Sequence, residues 1–269
     1  TKYGPERFHF ILSDISALGH FPAIDAVINL AAETHVDNSI MDNARFLTTN
    51  VLGVHHLLEM ARAKRNYEIP LFLQVSTDEV YGDVQHGTTS ESEPLAPSSP
   101  YAASKAAADH LVMAWGHTYD MPWNIVRPSN CYGAHQYPEK LIPKAIRHLL
   151  LERPIPIHEG GGATRSWLHV EDCADAIITV LDKRARNTIY NIGGNTEASV
   201  KEVASAIVRA VLGADARPGD YLDFGFTRLG LDTRYCVSDK RLRELGWVPQ
   251  GNLWRDLPEV VAEERKRFR

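Results

Sequence analysis

The sequence has few of the residues that characterise secreted, metal-binding or nucleic-acid-binding proteins. Its three cysteines lie far apart with no C-x-x-C spacing, which argues against a disulfide framework or a zinc site and fits a reducing cytosol. Acidic residues outnumber basic ones, 34 to 29, so no basic stripe is available for a phosphate backbone. We therefore predict a cytoplasmic protein with no nucleic acid among its partners.

Membrane and metal motifs are also missing from the sequence. No apolar run approaches the roughly 20 residues that cross a bilayer, and the sequence does not open with a charged segment followed by an apolar one. The H-E-x-x-H motif is absent. We expect no membrane association and no metal site.

A third absence is the glycine-rich turn with which dinucleotide-binding sheets usually begin. The segment GGGATR at 160–165 does not follow a strand and open a helix, as that turn must. If the chain forms such a sheet, we expect the first βα units to be missing from this sequence.

Short apolar runs alternate with longer amphipathic segments in the first half of the chain, which is 44% hydrophobic overall. This alternation is typical of βα units around a parallel sheet. It predicts strands at FHFILSD, AVINLAAE, LFLQVS and WNIVRPSN, a helical stretch to Arg65 and a helix from about Tyr101. We predict an α/β fold, with a Rossmann-like parallel sheet flanked by helices and a smaller mixed α/β lobe.

The alternation of strands and helices breaks down beyond Pro128, which suggests two interleaved domains. Residues 1–128 with 164–195 are predicted to form the Rossmann-like domain. Residues 129–163 with 196–269 are predicted to form the smaller lobe, whose last part carries two helices and ends in a polar tail.

Tyr101 and Lys105 stand four residues apart at the start of a predicted helix, so both side chains lie on one face of it. An ammonium group close to a phenol favours the phenolate and lowers its pKa from about 10, as a general base near neutral pH requires. The same spacing also arises by chance, and a surface lysine beside a half-buried tyrosine is the alternative.

Ser76, Thr77, Asp78 and Glu79 directly follow the apolar strand LFLQV. Ligands of open parallel sheets bind outside that edge. Two adjacent carboxyl groups there suit an acid and a base whose environments separate their pKa values, although Asp and Glu also begin turns and cap helices. With Tyr101 following in the sequence, we favour the catalytic interpretation.

Five segments resemble, in order and spacing, the successive signatures of the dTDP-glucose 4,6-dehydratases, which are sugar-nucleotide enzymes of the extended short-chain dehydrogenase/reductase type. The segments are NLAAETHVDNSI, VSTDEVYGD, SPYAASKAAADHLV, IVRPSNCYG followed by YPEKLIPKAI, and GGGATRSWLHVEDCADAI, and the resemblance spans nearly the whole chain. Thr77-Asp78-Glu79 discriminates best, because related epimerases and decarboxylases usually carry at most one acidic residue there.

The resemblance implies NAD-dependent dehydration of a nucleotide-activated hexose, such as dTDP-glucose, to the 4-keto-6-deoxy sugar. Tyr101 would take the proton of the C4 hydroxyl while hydride passes to NAD, and Thr77 would hold the new 4-keto oxygen. Glu79 would then remove the C5 proton and Asp78 would protonate the departing C6 hydroxyl, after which hydride returns to C6. Lys105 would contact the nicotinamide ribose.

The resemblance also implies binding residues, position by position. NAD would be bound by Asp14, Ile15, Leu30, Ala31, Ala32, Ser76, Tyr101 and Lys105. The nucleotide-sugar would be bound by Thr77, Asn130, Lys140, Leu141, Arg165 and Arg228. Asp14 could equally be a helix N-cap, and Arg228 lies in RLGLDTRY, which departs from the usual RPGHD-like run.

Two other functions stay open at the level of the sequence. An epimerase or decarboxylase on the same scaffold would share Tyr101 and Lys105 but would not need Asp78 as an acid. A truncated, non-catalytic homologue could act as a binding subunit, although the intact catalytic set argues against decay. The resemblance further implies a homodimer packed through helices; the alanines at 101–117 suit such packing or face the sheet.

Overall fold

Strands and helices alternate through the residues that the computed structural model describes, which are 7–63, 69–227 and 229–268. The strands are β1 Ala26–Asn29, β2 Leu71–Val75, β3 Trp123–Pro128, β4 Asn130–Tyr132, β5 Ile155–His158, β6 Thr164–His169, β7 Thr188–Ile192, β8 Thr196–Ser199, β9 Leu222–Phe226 and β10 Arg234–Tyr235. The helices are α1 Val36–Met41, α2 Asn43–Leu47, α3 Gly53–Arg62, α4 Pro100–Tyr119, α5 Leu141–Leu150, α6 Val170–Asp182, α7 Val200–Leu212, α8 Lys240–Arg243 and α9 Leu253–Phe268. A π-helical segment, Thr48–Leu52, joins α2 to α3.

The central sheet has the order β1-β2-β3-β7, and all of its strand pairs are parallel. One face packs against α3 and α4 through a core that includes Phe72 and Ile125, and the other face packs against α6 through Leu73 and Val126. Successive apolar residues of one strand are therefore buried on opposite faces, as the non-alternating runs predicted. The predicted Rossmann-like sheet is confirmed.

The smaller lobe is built on strands that pair outside the central sheet. β6 lies between β4 and β10, β8 pairs with β6, and β5 pairs with β9. α5, α7 and α9 cover this lobe with a continuous apolar core. The predicted domain boundary at 164 falls at the start of β6, so by strand pairing β6 lies with the smaller lobe while α6 and β7 lie with the central sheet.

Helix α4 begins where its local sequence directs it to begin. The Ser99 side chain accepts a hydrogen bond from the backbone N–H of Ala102, and Pro100 occupies the first helical position, where its fixed backbone angle suits a helix. The helix ends at Asp120, which adopts a left-handed conformation. This start fixes Tyr101 in the first turn, next to the end of β2.

Some predicted elements differ from those observed. FHFILSD does not form a strand, because no strand of the described chain pairs with it through backbone hydrogen bonds. Its apolar side chains Phe10, Ile11 and Leu12 are exposed. The predicted polar tail is the helix α9, which buries Leu253 and Leu257 on one face while its charged face meets solvent.

Other differences concern short elements. β8, β9 and β10 were not predicted, because strands of two to five residues give too little pattern to read. The helical stretch predicted to Arg65 is divided into α1, α2, a π-helical segment and α3, and Arg65 itself lies outside the described residues. None of the helices in the described ranges is both long enough and apolar enough to span a bilayer.

Candidate active site

The acidic segment after β2 forms a tight turn at the carboxyl edge of the sheet. Ser76 still pairs with β3, donating its N–H to the Val126 carbonyl at 2.8 Å. Thr77 then caps a 3-10 turn: its hydroxyl accepts the Glu79 N–H at 3.3 Å and donates to Asp78 Oδ1 at 3.3 Å. Gly82 ends the turn at a φ of 76°, where any side chain would collide with the Ala96 carbonyl.

Helix α4 brings Tyr101 and Lys105 to the same place. The Tyr101 N–H donates to Ser39 Oγ of α1 at 3.2 Å, and the Tyr101 phenol lies beside the Thr77 hydroxyl. The Lys105 ammonium donates to the Val75 carbonyl, the last of β2, at 2.7 Å. The structure thus brings together the predicted catalytic residues, which are Thr77, Asp78, Glu79, Tyr101 and Lys105.

Burial sets the protonation of this group. Burial and, to a smaller extent, the neighbouring Glu79 charge together raise the pKa of Asp78 to about 7, although Arg165 opposes both. Asp78 is only 3% exposed, and among the described residues its Oδ2 has no hydrogen-bond partner. A carboxyl group that still holds a proton near neutral pH can act as a general acid.

The lowered Tyr101 pKa expected from the Tyr101–Lys105 spacing is not found. Burial raises the pKa of the Tyr101 phenol, the charges of Glu79 and Asp78 raise it further, and the Thr77 hydroxyl only partly opposes them. The Lys105 ammonium is directed at the Val75 carbonyl, and its own pKa falls to about 8 because it too is buried. The expectation was wrong because spacing on a helix does not reveal desolvation.

A cleft between the two lobes opens beside Glu79. The predicted substrate residues Asn130, Lys140, Leu141 and Arg165 all line it. The Lys140 ammonium donates to the Thr34 carbonyl at 2.8 Å, and burial lowers its pKa. Arg228, also predicted to bind substrate, lies outside the described residues.

Arg165 is held in place by its neighbours. Its guanidinium lies 4.2 Å from the centre of the Tyr235 ring, and it donates to the carbonyls of Thr164 and Asp232 at 2.8 and 3.0 Å. The Tyr235 hydroxyl in turn donates to the Asp232 carboxylate at 2.5 Å. The sequence analysis missed Tyr235 and Asp232, because only the parallel pairing of β10 with β6 brings them next to Arg165.

The predicted cofactor residues lie at two places. Leu30, Ala31 and Ala32 follow β1, and the Ala31 N–H is held by Asn29 Oδ1 at 3.2 Å. Asn50, which the sequence analysis also missed, accepts the Glu33 N–H at 2.8 Å and donates to Ser104 of α4 at 2.9 Å. The loop after β1 is therefore fastened to the helix that carries Tyr101.

Asp14 and Ile15 lie beside α3, and Asp14 caps a short 3-10 turn. The Asp14 carboxylate accepts the Ser16 N–H at 2.8 Å, which is the N-cap alternative considered from the sequence. This contact leaves the predicted cofactor role of Asp14 untested. Within residues 7–63, 69–227 and 229–268, no three His, Cys, Asp or Glu side chains are grouped to hold a metal ion.

Known dehydratases are similar to this chain in sequence. A family model described as GDP-mannose 4,6 dehydratase matches residues 14–257. The dTDP-glucose 4,6-dehydratase of Neisseria gonorrhoeae is 44% identical over 242 residues, which cover 84% of this chain and 70% of that protein.

Solved structures share the fold. A crystal structure of DesIV, a dTDP-glucose 4,6-dehydratase of Streptomyces venezuelae with NAD and TYD bound, superimposes with a TM-score of 0.85 at 36% identity, covering 90% of this chain and 74% of that one. A UDP-glucuronic acid 4-epimerase of Bacillus cereus superimposes with a TM-score of 0.84 at 24% identity, covering 91% and 76%. At that identity the epimerase indicates a shared fold alone.

The raised Asp78 pKa predicts a pH-dependent cost in stability. The folded protein holds this proton more tightly than the unfolded chain, so the free energy of unfolding falls as the pH rises from about 4 through about 7. We expect Asp78→Asn to raise the free energy of unfolding by roughly 1–3 kcal/mol at pH 8, and by less at pH 5. Urea denaturation at both pH values measures this difference.

Asp172→Asn is the matched control for that measurement. Asp172 is also buried, but its carboxylate accepts the N–H groups of Gln250 and Gly251 at 2.9 and 2.8 Å. It should lose stability at both pH values, because an amide replaces a charged acceptor. An Asp78→Asn variant that is less stable than the wild type at pH 8 contradicts the assigned protonation.

Proposed function

Because the chain belongs to the GDP-mannose 4,6 dehydratase family, we propose that it is an NAD-dependent dehydratase acting on a nucleotide-activated hexose, with dTDP-glucose the leading candidate. Its product is the 4-keto-6-deoxy sugar. The observation that carries this proposal is the buried Asp78, whose pKa is raised to about 7, next to the partly buried Glu79 and beside Tyr101. Elimination of water needs a base that removes a proton from one carbon of the substrate and an acid that protonates the hydroxyl on the next carbon, and Glu79 and Asp78 supply both.

The residues present fit a dinucleotide at the carboxyl ends of the strands. Ser76 has a buried hydroxyl with no hydrogen-bond partner in the described chain, and Lys105 places a buried ammonium beside it. Leu30, Ala31 and Ala32 border the same edge, and Asp14 and Ile15 complete the proposed NAD set. Bound NAD supplies a hydride acceptor that later returns the hydride.

Oxidation at C4 is assigned to Tyr101 and Thr77. Tyr101 takes the C4 hydroxyl proton, and the Thr77 hydroxyl holds the oxygen that becomes the ketone. Since the surrounding protein raises the Tyr101 pKa, this proton transfer depends on positive charge near the phenol, a role that we assign to the Lys105 ammonium one helical turn away.

Elimination of water is assigned to Glu79 and Asp78. The 4-keto group makes the C5 proton acidic, and Glu79 removes it. Asp78 gives its proton to the C6 hydroxyl, so that the C6–O bond breaks and water leaves. A proton at C5 and the returned hydride at C6 then complete the 4-keto-6-deoxy sugar.

The nucleotide part is assigned to the cleft. Arg165 suits a pyrophosphate because its planar fork makes paired, charge-assisted hydrogen bonds, and Tyr235 holds it in a fixed orientation. Asn130, Lys140 and Leu141 complete the proposed set, with Arg228 still a prediction. In this proposal, 1–128 with 164–195 form the NAD-binding domain and 129–163 with 196–269 form the nucleotide-sugar-binding lobe. Thr77 and Arg165 are substrate residues that the first domain contributes, and by strand pairing Arg165 on β6 lies against the smaller lobe.

We also propose a cytoplasmic homodimer. Its interface would use the apolar side chains that project from the helices packed along α4: Met41, Leu47 and Leu52 are 87%, 53% and 60% exposed. Exposed apolar groups on adjacent helices favour association with a second copy. Light scattering should give twice the mass of one chain; a monomer at micromolar concentration contradicts this interface.

The dehydratase assignment predicts a specific block in the Asp78→Asn variant. An amide cannot protonate the C6 hydroxyl, whereas C4 oxidation does not use Asp78. With dTDP-glucose and NAD, we expect formation of the 4-keto-6-deoxy product to fall by at least about 100-fold while NADH absorbance builds up on the enzyme. Stopped-flow absorbance and product analysis measure the two steps separately.

Other outcomes would reject this assignment. Full turnover by Asp78→Asn means that Asp78 is not the acid. A C4-epimerised sugar as the wild-type product means that the chain is an epimerase on the same scaffold.

A further inference from the structure

Three charged side chains are buried together behind Tyr101. Lys105, Asp109 and Arg127 are 3%, 0% and 2% exposed. Arg127 Nε lies 3.0 Å from Asp109 Oδ2, which makes a buried ion pair between α4 and β3. Buried charges are costly unless they are paired, so a cluster with two cations and one anion at this position calls for an explanation.

Asp109 occupies a defined position relative to the catalytic residues. It follows Lys105 by one helical turn and Tyr101 by two, so all three lie along one face of α4. Arg127 Nε donates to its Oδ2, and its Oδ1 has no hydrogen-bond partner in the described residues, although the Ser76 hydroxyl lies close enough to lower the Asp109 pKa. The Asp109 carboxylate therefore forms an ion pair with Arg127 and also acts electrostatically on Lys105.

Further contacts keep this carboxylate from moving. Arg127 Nη1 donates to the Tyr81 hydroxyl at 2.7 Å, and that hydroxyl donates to Asn191 Oδ1 at 2.8 Å. Asn191 donates in turn to the Thr89 carbonyl at 3.1 Å. The chain of contacts links α4, β3, β7 and the loop before α4, so the position of Asp109 is determined from several elements.

We infer that Asp109 is a positioning residue, a fixed negative charge that keeps the Lys105 ammonium protonated against the Val75 carbonyl. Through Lys105 it maintains positive charge beside the Tyr101 phenol. The inference rests on the proposed function only where it assigns Lys105 to the reaction; the charge relation between Asp109 and Lys105 belongs to the fold.

Burial raises the pKa of Asp109 itself, and the charge of Arg127, with smaller contributions from the Ser76 hydroxyl and Lys105, opposes that rise and favours the carboxylate. Burial lowers the pKa of Lys105 to about 8, and the Asp109 charge opposes the fall. Of the other ionisable groups nearby, Arg127 of β3 faces Asp109 and the Tyr81 ring packs against Arg127, whereas Asp78 and Glu79 act on Tyr101. Because the Lys105 pKa already lies close to neutral pH, loss of the opposing charge would leave the amine largely neutral at pH 8.

The test measures Lys105 protonation without any ligand. A lysine whose folded pKa lies below its unfolded value makes the free energy of unfolding rise with pH between those two values. The contribution of Lys105 is the difference in stability between each protein and the same protein with Lys105→Met, measured by thermal melting from pH 6 to pH 10. In the wild type the rise should begin near pH 8.

Removing Asp109 should move the onset of that rise to lower pH by about one unit. Asp109→Asn leaves Arg127 without its ion pair and can fail to fold, so Asp109→Asn/Arg127→Gln, which removes both charges of the pair, is the second variant. Arg127→Lys keeps both Asp109 and the positive charge that favours its carboxylate, and it should not lower the onset. Glu264→Gln is the control, because it breaks a partly buried ion pair with Arg147, 2.6 Å away in the other lobe.

An activity readout complements the melting data. The alkaline limb of the kcat/KM profile should move to lower pH in Asp109→Asn/Arg127→Gln but not in Arg127→Lys, whereas a purely structural role would lower activity equally at all pH values. Onsets that coincide in the presence and absence of Asp109 overturn the inference, whatever the activity. If the onset shifts in the variant but the wild-type protein has no dehydratase activity, the inference is supported and the proposed function is rejected.

Discussion

Desolvation of ionisable groups at the carboxyl end of β2 is the constraint on which the site depends. Asp78, Tyr101 and Lys105 are all nearly inaccessible to water, and burial shifts each of them toward its neutral form. The same effect helps one step and opposes another. It gives the site a carboxylic acid near neutral pH, which elimination needs, and it disfavours the phenolate that oxidation needs. Positive charge near Tyr101 therefore matters more than the tyrosine–lysine spacing alone suggests.

A few local features of the fold bury these groups. Parallel strands end together at one edge, Gly82 closes the acidic turn, and the Ser99 cap starts α4 so that Tyr101 lies in its first turn. The smaller lobe closes the other side of the cleft through Arg165 and Tyr235. Stability and function conflict at Asp78, because the carboxyl group that suits the reaction is one that a folded core disfavours.

The sequence predicted what depends on local pattern. The apolar runs of β1, β2 and β3, the turn at 76–79 and the Tyr101–Lys105 pair are each contained in one short segment. Contacts between distant segments were not predictable in this way: Tyr235 reaches Arg165 through strand pairing, and Asn50 reaches Glu33 and Ser104 from a π-helical segment. The prediction of a strand at FHFILSD was wrong because apolar composition does not show whether a neighbouring strand is available to pair with it. The prediction of a lowered Tyr101 pKa was wrong because the spacing of two residues on a helix does not show how deeply they are buried.

The central claim is that hydride leaves C4 and returns to C6 within one active site while water departs between the two transfers. Isotope tracing with dTDP-glucose deuterated at C4 tests it most directly, with the product examined by NMR and mass spectrometry. The account predicts a 4-keto-6-deoxy sugar that carries the C4 deuterium at C6, and, for unlabelled substrate in deuterated water, solvent deuterium at C5. A product that retains the C6 hydroxyl and carries the label at C4 would contradict the account.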